Sequence, residues 1–360
     1  MNISPAKKWL HLKICKWFTL FTLILILVCL VGCWNNEKNS QNDALFGVLM
    51  GTHWGFIDKT GKYVLNPQFD NISNFDSSGI AAVRLDNKWG VIDKTGKYVI
   101  NPQFDNAPHF DSFSGLAAVL LGNKFGFIDK TGKYVINPLF ADVRNFDSSG
   151  LAAVGLDNKW GYIDKTGQYV INPQFDIAFN FDSSGLAAVG LDNKWGYIDK
   201  TGKYVINPQF SWALNFNSSG LAAVKLNSKW GFIDKTGKYV INPQFDFALN
   251  FDSSGLAAVG LDNKWGFIDK TGKYVINPQF DFAFNFDSSG LAAVKQDNKW
   301  GYIDKTGKYV INPQFDNADN FDSSGFAAVK LNNKWGFIDK SGKYVINPQF
   351  DFVVTDWLDI

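Results

Sequence analysis

A period of about 35 residues, marked by an aromatic residue followed by glycine, runs through most of this 360-residue chain. The aromatic positions are Trp54, Trp89, Phe125, Trp160, Trp195, Trp230, Trp265, Trp300 and Trp335. One extra residue near Phe113 breaks the spacing once, so the chain holds nine near-copies of one unit. Repeats of this length are single supersecondary units that stack on their neighbours, and large aromatic residues at fixed places in them form the core. We therefore expect these nine aromatic residues to be repeat core.

Each unit predicts a small β-meander, as residues 221–255 illustrate. Residues 221–226 and 229–234 alternate in the manner of two short strands, and Asn227-Ser228 between them suits a tight hairpin turn. Residues 234–237 predict a type I turn with a glycine bulge, and a third strand follows until Pro243, which cannot donate to a ladder. Residues 245–251 are either a fourth short strand or a packed loop. We expect the glycine of each Trp-Gly pair to leave room for a neighbouring ring.

The fold class expected from this pattern is all-β, because no segment has a helical period. We expect an elongated open array of nine β-meander repeats, with the atypical first and last units as caps. A closed, propeller-like ring is the alternative. We rank it second because nine blades exceed the usual four to eight, and because the chain begins with its own first strand and lacks an offset that would close a ring.

The first 32 residues have the features of a secretory signal. Lys7, Lys8, Lys13 and Lys16 precede an almost wholly apolar run over residues 17–31, which is short for a membrane-spanning helix. The run ends in Leu30-Val31-Gly32-Cys33, which resembles the lipobox of bacterial lipoproteins and implies that Cys33 is lipidated. We thus predict a signal peptide at 1–32, a polar tether at 33–43 and the repeats at 44–360. An uncleaved N-terminal anchor is the alternative.

Composition excludes several classes of function. All three cysteines (Cys15, Cys29 and Cys33) lie at or before the predicted cleavage site, so the repeats have no disulfide framework and no thiolate metal site. Removal of the four signal lysines leaves 31 basic against 34 acidic residues, which gives no electrostatic footprint for nucleic acid. The repeated aspartates fit turns better than catalysis or calcium sites. We expect no catalytic residue, no metal site, no cofactor and no enzymatic activity.

The repeated segment K-W-G-F-I-D-K-T-G-K-Y-V-I-N-P-Q-F-D resembles the WG-repeat (KWG-repeat) family of bacterial proteins over about residues 44–353. The resemblance implies a β-rich repeat array, often secreted or lipid-anchored. It implies no particular reaction.

Two positions in each unit differ in residue type along the array. Duplication of a single unit explains the constant positions but not this variation. They flank a small or apolar residue and are polar or short towards both ends of the array, as in Asn71 with Ser73 and Asn317 with Asp319. In four consecutive central units they are apolar, and we call these residues the central stripe: Ile177, Phe179, Trp212, Leu214, Phe247, Leu249, Phe282 and Phe284. Such a stripe is either an exposed patch that binds a partner or packing between adjacent units.

The sequence therefore predicts a non-enzymatic repeat scaffold, anchored by lipid in the membrane of the bacterial cell envelope and facing its extracytoplasmic side. The expected partner is a protein bound through the central stripe. A cell-wall or glycan adhesin that uses the repeated aromatic side chains is the alternative.

Overall fold

The computed structural model of this protein describes residues 44–354, which contain only β-strands, turns and loops. The predicted signal peptide, tether and lipidation site at Cys33 lie outside the described residues. The strands form nine separate small sheets, which we number as blades 1 to 9 in the order of their Trp-Gly or Phe-Gly pairs. Every sheet contains three successive antiparallel strands, and in eight blades a two-residue strand pairs with the first of them. Nine units of one meander each are therefore confirmed.

The two-residue strands, which we call inner strands, are β4 (Asn71–Ile72), β11 (Asp142–Val143), β15 (Ile177–Ala178), β19 (Trp212–Ala213), β23 (Phe247–Ala248), β27 (Phe282–Ala283), β31 (Asn317–Ala318) and β35 (Phe352–Val353). The second strands are β1 (Leu45–Met50), β5 (Ile80–Leu85), β8 (Ala117–Leu121), β12 (Ala152–Leu156), β16 (Ala187–Leu191), β20 (Leu221–Leu226), β24 (Ala257–Leu261), β28 (Ala292–Gln296) and β32 (Phe326–Leu331). Blade 3 has no inner strand among the described residues.

The third strands carry the Trp-Gly pairs, or Phe-Gly in blade 3, and are β2 (His53–Asp58), β6 (Lys88–Asp93), β9 (Lys124–Ile128), β13 (Lys159–Ile163), β17 (Lys194–Ile198), β21 (Lys229–Asp234), β25 (Lys264–Ile268), β29 (Lys299–Ile303) and β33 (Lys334–Asp339). The outer strands are β3 (Tyr63–Phe69), β7 (Tyr98–Phe104), β10 (Tyr134–Phe140), β14 (Tyr169–Phe175), β18 (Tyr204–Phe210), β22 (Tyr239–Phe245), β26 (Tyr274–Phe280), β30 (Tyr309–Phe315) and β34 (Tyr344–Phe350). An exposed valine follows the tyrosine in each outer strand.

The nine blades close into a ring, so the expectation of an elongated open array is wrong and the fold is a nine-bladed β-propeller. The last inner strand, β35, pairs with β1, with Val353 opposite Val48. Blade 1 is thus assembled from both ends of the repeat region. Phe46 of blade 1 also packs on Phe337 of blade 9, with ring centroids 4.7 Å apart.

The physical reason for this correction lies in the fourth strand of the repeat. The inner strand at the end of each unit pairs with the meander of the following unit, as Phe247 and Ala248 pair with Gly260 and Val259. The last copy has no following meander, and the first meander has no preceding inner strand. Residues 351–354 are therefore the offset that closes the ring, and the atypical ends of the repeat region complete one blade instead of capping an array.

The turns form as their residues predict. Asp157 and Asn158 both have positive φ, at 51° and 63°, which is the backbone of the tight hairpin turn between second and third strands. In the next turn, the amide of Gly237 donates to the carbonyl of Asp234 at 2.9 Å, with φ of 86° at the glycine. The Asp234 carboxylate accepts from the amide and hydroxyl of Thr236 at 2.9 and 2.6 Å. These aspartates are turn formers, as expected.

The glycine of each Trp-Gly pair faces backbone, so the expectation of a neighbouring ring is wrong. A Cβ added at Gly196 would lie 2.5 Å from the carbonyl oxygen of Ile206 and 2.7 Å from the nitrogen of Pro208. The outer strand is irregular at this point, since Trp195 pairs with Phe210 and Tyr197 with Ile206. Glycine is required because the bulged Ile-Asn-Pro backbone approaches the third strand closely.

Most of the core lies between blades. Tyr197 of blade 5 is fully buried against Phe216 of blade 6, with ring centroids 4.8 Å apart, and its hydroxyl donates to the carbonyl of Leu214 at 2.6 Å. The same contact joins Phe232 to Phe251 in the next pair of blades. A buried aromatic side chain contributes about 1.5–3 kcal/mol by burial, so each blade is stabilised mainly by its neighbours.

The Asp-Ser-Ser-Gly loops that follow the inner strands join consecutive blades. The Asp182 carboxylate caps its own turn through the amide of Ser184 at 2.7 Å and also accepts from the amide of Phe216 in the next blade at 2.8 Å. Burial raises the pKa of Asp182 above its usual range, although these hydrogen bonds oppose the shift. Asn217 occupies this position in blade 6 and donates to the carbonyl of Phe251 at 2.6 Å. The loops therefore act as structural clasps.

Candidate binding face

The tight turns between second and third strands and the connections from outer to inner strands lie on one face of the ring. We call it the hairpin face. The Asp-Ser-Ser-Gly loops and the remaining turns lie on the opposite face, because strands within each blade are antiparallel. In blade 5, one row of cross-strand partners lies close to the hairpin face. It runs from Ile177 through Gly190 and Trp195 to Phe210. The first variable position and the conserved tryptophan thus share one row in each blade.

Lysine–aspartate pairs join neighbouring blades along this face. Lys159 of blade 4 binds the Asp176 carboxylate at 2.6 Å, and the other oxygen of that carboxylate accepts from the amide of Asp192 in blade 5 at 2.7 Å. The hydrogen bond from Lys159 lowers the pKa of Asp176 below its usual range. The same arrangement closes the ring, since Asp351 binds Lys334 at 2.6 Å and the amide of Gly51 at 3.0 Å.

The structure places the central stripe between blades, and none of its eight residues is fully exposed. Phe179, Leu214 and Leu249 are buried, whereas Ile177, Trp212, Phe247, Phe282 and Phe284 are half-buried. The stripe therefore packs against the core and also leaves part of five side chains accessible near the hairpin face.

The half-buried members of the stripe contact the repeat tryptophans. Trp212 lies against Trp195 of the preceding blade, with ring centroids 5.0 Å apart. Phe282 contacts Trp265 of the preceding blade at 4.9 Å and Trp300 of its own blade at 5.9 Å. Aromatic pairs of this kind are worth about 0.5–1.5 kcal/mol beyond the burial of their area. Trp212 and Phe282 thus cover the tryptophan of the blade before them. Phe247 and Phe284 instead stack on the tryptophan of their own blade, with ring centroids 5.9 and 5.2 Å apart.

The repeat aromatic residues differ in burial around the ring, which sequence reasoning did not predict. In blades 5 to 9 the tryptophans are buried, with at most 9% of each accessible. In blades 1 to 4 the equivalents are only half-buried: Trp54, Trp89, Phe125 and Trp160. In blades 1 to 3 the difference follows the variable position of the next blade, because Asn71, Asn106 and Asp142 stand where blades 6 to 8 carry an aromatic residue. In blade 8, Trp300 is buried although the next blade carries Asn317, because Phe282 and Phe284 of its own blade pack on it.

Both arginines of the chain lie in this less covered sector, and sequence reasoning missed their importance. The Arg84 guanidinium lies 5.9 Å from the ring centre of Trp89 in blade 2. Arg144 lies 5.5 Å from Trp160 and 4.9 Å from Phe179, and it donates to the carbonyl of Ala178 at 2.9 Å. Arg84 lies opposite Trp89, where every other blade has lysine, leucine or glycine. Arg144 instead follows the inner strand of blade 4, at the second variable position. These two departures from the repeat were the available sequence signal.

Over residues 44–354, no group of three histidine, cysteine or acidic side chains is placed to hold a metal ion. His53 is exposed and His109 half-buried, and they belong to different blades. A helix long and apolar enough to cross a membrane is likewise lacking within that described range.

The comparison with protein families identifies the repeat. The model of the WG containing repeat matches residues 54–89, 89–125, 125–160, 160–195, 195–230, 230–265, 265–300, 300–335 and 335–357. No curated protein matches the sequence.

Solved structures that resemble this chain share little sequence with it. The crystal structure of the eukaryotic initiation factor is 11% identical with a TM-score of 0.65, and the match covers 87% of this chain and 97% of that one. Apo AztD from Citrobacter koseri is 13% identical with a TM-score of 0.42, over 86% of this chain and 98% of that one. The extracellular domain of the putative one-component system BT4673 from B. thetaiotaomicron is 11% identical with a TM-score of 0.35, over 88% and 62%. Only the first of these structures has a TM-score above 0.5, so only the first is relevant to this chain. At 11% sequence identity it shows a similarity of fold alone.

The family match runs without interruption from Trp54 to Trp357 and coincides with the blades of the ring. The chain therefore belongs to the family of proteins built from WG-containing repeats.

Proposed function

We propose that this β-propeller is a non-enzymatic scaffold, anchored by lipid at Cys33 in the bacterial cell envelope, that binds a protein partner on its hairpin face. One observation carries the proposal. Within an almost invariant frame, the inner-strand positions at this face change chemistry from blade to blade, and in blades 6 to 8 they present Trp212, Phe247 and Phe282 half-buried. A frame that is constant and a face that varies are typical of a recognition surface on a rigid scaffold.

The aromatic character of this surface favours a protein as the partner. Half-buried tryptophan and phenylalanine side chains supply large contact areas, and such residues dominate the binding energy of protein interfaces. The three side chains occupy equivalent positions in consecutive blades, so a partner that contacts one also has the next two within reach. Membrane attachment would hold the ring at the surface where an envelope partner is found.

The test replaces Trp212, Phe247 and Phe282 together by asparagine, which blades 2, 3 and 9 carry at the same position. The matched control replaces Val170, Val205 and Val240 by asparagine as well. These valines are exposed on the outer strands of blades 4 to 6. A partner is identified by cross-linking and mass spectrometry from an envelope extract, and the purified partner is then titrated against each folded variant. Binding is compared at a temperature at which circular dichroism shows both variants folded, because the three aromatic side chains also pack between blades. We expect the asparagine variant to lose binding and the valine control to retain it. Equal binding by both variants contradicts the proposal.

A glycan-binding adhesin is the second candidate, and the half-buried aromatic residues of blades 1 to 4 favour it. Sugars stack on accessible aromatic faces, and Trp54, Trp89 and Trp160 retain part of theirs. Binding of a neutral cell-wall glycan that is lost on replacement of these tryptophans, but kept in the blade 6 to 8 variant, would support this candidate over a protein partner.

A further inference from the structure

The row across blade 2 combines a cation and a half-buried aromatic ring. Asn71 of the inner strand lies opposite Arg84, and Arg84 lies opposite Trp89. The Arg84 guanidinium is 5.9 Å from the centre of the Trp89 ring, within the range of a cation–π contact. Both side chains are half-buried. We call the group formed by Asn71, Arg84, Trp89 and Asn106 the Trp89 site.

Asn106 leaves the Trp89 ring uncovered. At the equivalent position of blades 6, 8 and 1, Trp212, Phe282 and Phe352 each lie on the tryptophan of the preceding blade, at 5.0, 4.9 and 5.8 Å. Asn106 instead accepts from the amide of Leu120 at 2.5 Å and donates to the carbonyl of Ala118 at 3.2 Å, both within its own blade. Because the amide is held in blade 3, no ring from that side covers Trp89.

Arg84 lacks the partners that a half-buried cation needs. Its Nε is buried and has no hydrogen-bond acceptor within the described part of the chain. None of the ion pairs within residues 44–354 includes it. A ligand from solvent does not reach the buried Nε, but the two terminal nitrogens of a guanidinium match a carboxylate through two parallel hydrogen bonds. Lys225 at the same position in blade 6 differs, because it lies close enough to Asp246 to help lower the pKa of that carboxyl.

We propose that the Trp89 site binds a carboxylate-bearing sugar, with the carboxylate on Arg84 and the apolar face of the pyranose ring on Trp89. The chemistry of the site selects this ligand. The accessible part of the indole suits the C–H face of a sugar, the guanidinium suits a planar carboxylate, and the neighbouring Asn71 amide suits a hydroxyl group. The site uses the less covered sector of the ring and is separate from the surface on blades 6 to 8. Its failure would therefore leave the protein-binding proposal untouched.

The test measures binding of a galacturonic acid pentamer to the full-length protein in detergent by calorimetry. The same pentamer with its carboxylates methyl-esterified is the neutral comparison. We expect the wild type to prefer the acid form by about tenfold or more, since one charge-assisted pair is worth at least that factor. Arg84→Gln should abolish the preference. Trp89→Phe, which copies Phe125 of blade 3, should weaken binding of both forms.

Lys225→Gln is the matched control, because it removes a cation from the same position beside the buried Trp230. It should leave the acid preference unchanged. If Arg84→Gln does not fold, Arg84→Lys keeps the charge without the planar fork and should lose most of the preference. The proposal is overturned if the wild type binds neither pentamer, if Arg84→Gln keeps the preference, or if Lys225→Gln loses it equally. Binding of an acidic peptide with no binding of the sugar also overturns it.

Discussion

Replacement of Phe282 by serine tests whether the central stripe packs between blades. The side chain contacts Trp265 at 4.9 Å, Phe284 at 5.0 Å and Trp300 at 5.9 Å, and it is half-buried. A buried phenylalanine covers about 150–250 Å². If about 150 Å² is covered here, the loss at ~25 cal/mol per Å² is about 3–4 kcal/mol. We therefore expect Phe282→Ser to destabilise the ring substantially.

The matched control is Asn317→Ser, which changes the same position in the next blade, where the side chain is exposed. Its effect should stay within about 0.5 kcal/mol, as for ordinary surface substitutions. In a domain of this size, 3–4 kcal/mol corresponds to a fall in melting temperature of roughly 5–6 °C. Thermal unfolding followed by circular dichroism separates the two variants. Equal melting temperatures for Phe282→Ser and Asn317→Ser would refute the packing of the stripe.

Three further changes test other parts of the structure. Deletion of residues 351–360 removes the strand that closes the ring and should cost about 3–6 kcal/mol for two buried valines, measured as an earlier thermal melt. Because burial raises the pKa of Asp182, the folded chain holds its proton more tightly than the unfolded chain, and stability falls as pH rises through that raised value. Asp182→Asn removes the titrating group, so the variant does not lose stability in this way. In urea titrations, the free energy of unfolding of the variant minus that of the wild type should therefore increase between pH 4 and pH 7. A difference that stays constant over this range would contradict the raised pKa of Asp182. Cys33→Ser should release the protein from membranes or leave the precursor uncleaved, and normal membrane partitioning with a cut N-terminus would count against lipidation.

The local structure of a blade was predictable because it depends on residues close in sequence. Asp157-Asn158 specifies a tight hairpin, and Asp234 to Gly237 specifies a bulged turn, through hydrogen bonds that span at most four residues. The family resemblance also predicted the β-rich repeat correctly, and the profile match confirms it.

Ring closure was not predicted because its signal is a pairing across the whole repeat region. Strand β35 is two residues long and pairs with β1, and the departure of Phe352-Val353-Val354 from the repeat suggested a cap. Each inner strand belongs to the blade that follows it in sequence, so the first meander needs an inner strand from elsewhere in the chain. Without that knowledge, the sequence does not show that blade 1 is incomplete. The burial of Trp195 and the accessibility of Trp89 were similarly hidden, because each depends on a residue in the neighbouring blade.

The closed ring is the claim on which the blades, the hairpin face and both binding proposals depend. Small-angle scattering of residues 44–360 tests it most directly. A compact chain of this length has a radius of gyration of roughly 20 Å. Nine units stacked in an open rod, at about 10 Å each, would instead approach ~28 Å. A value near 20 Å, with a scattering profile that fits the ring, is the predicted result, and a value near 28 Å would contradict it.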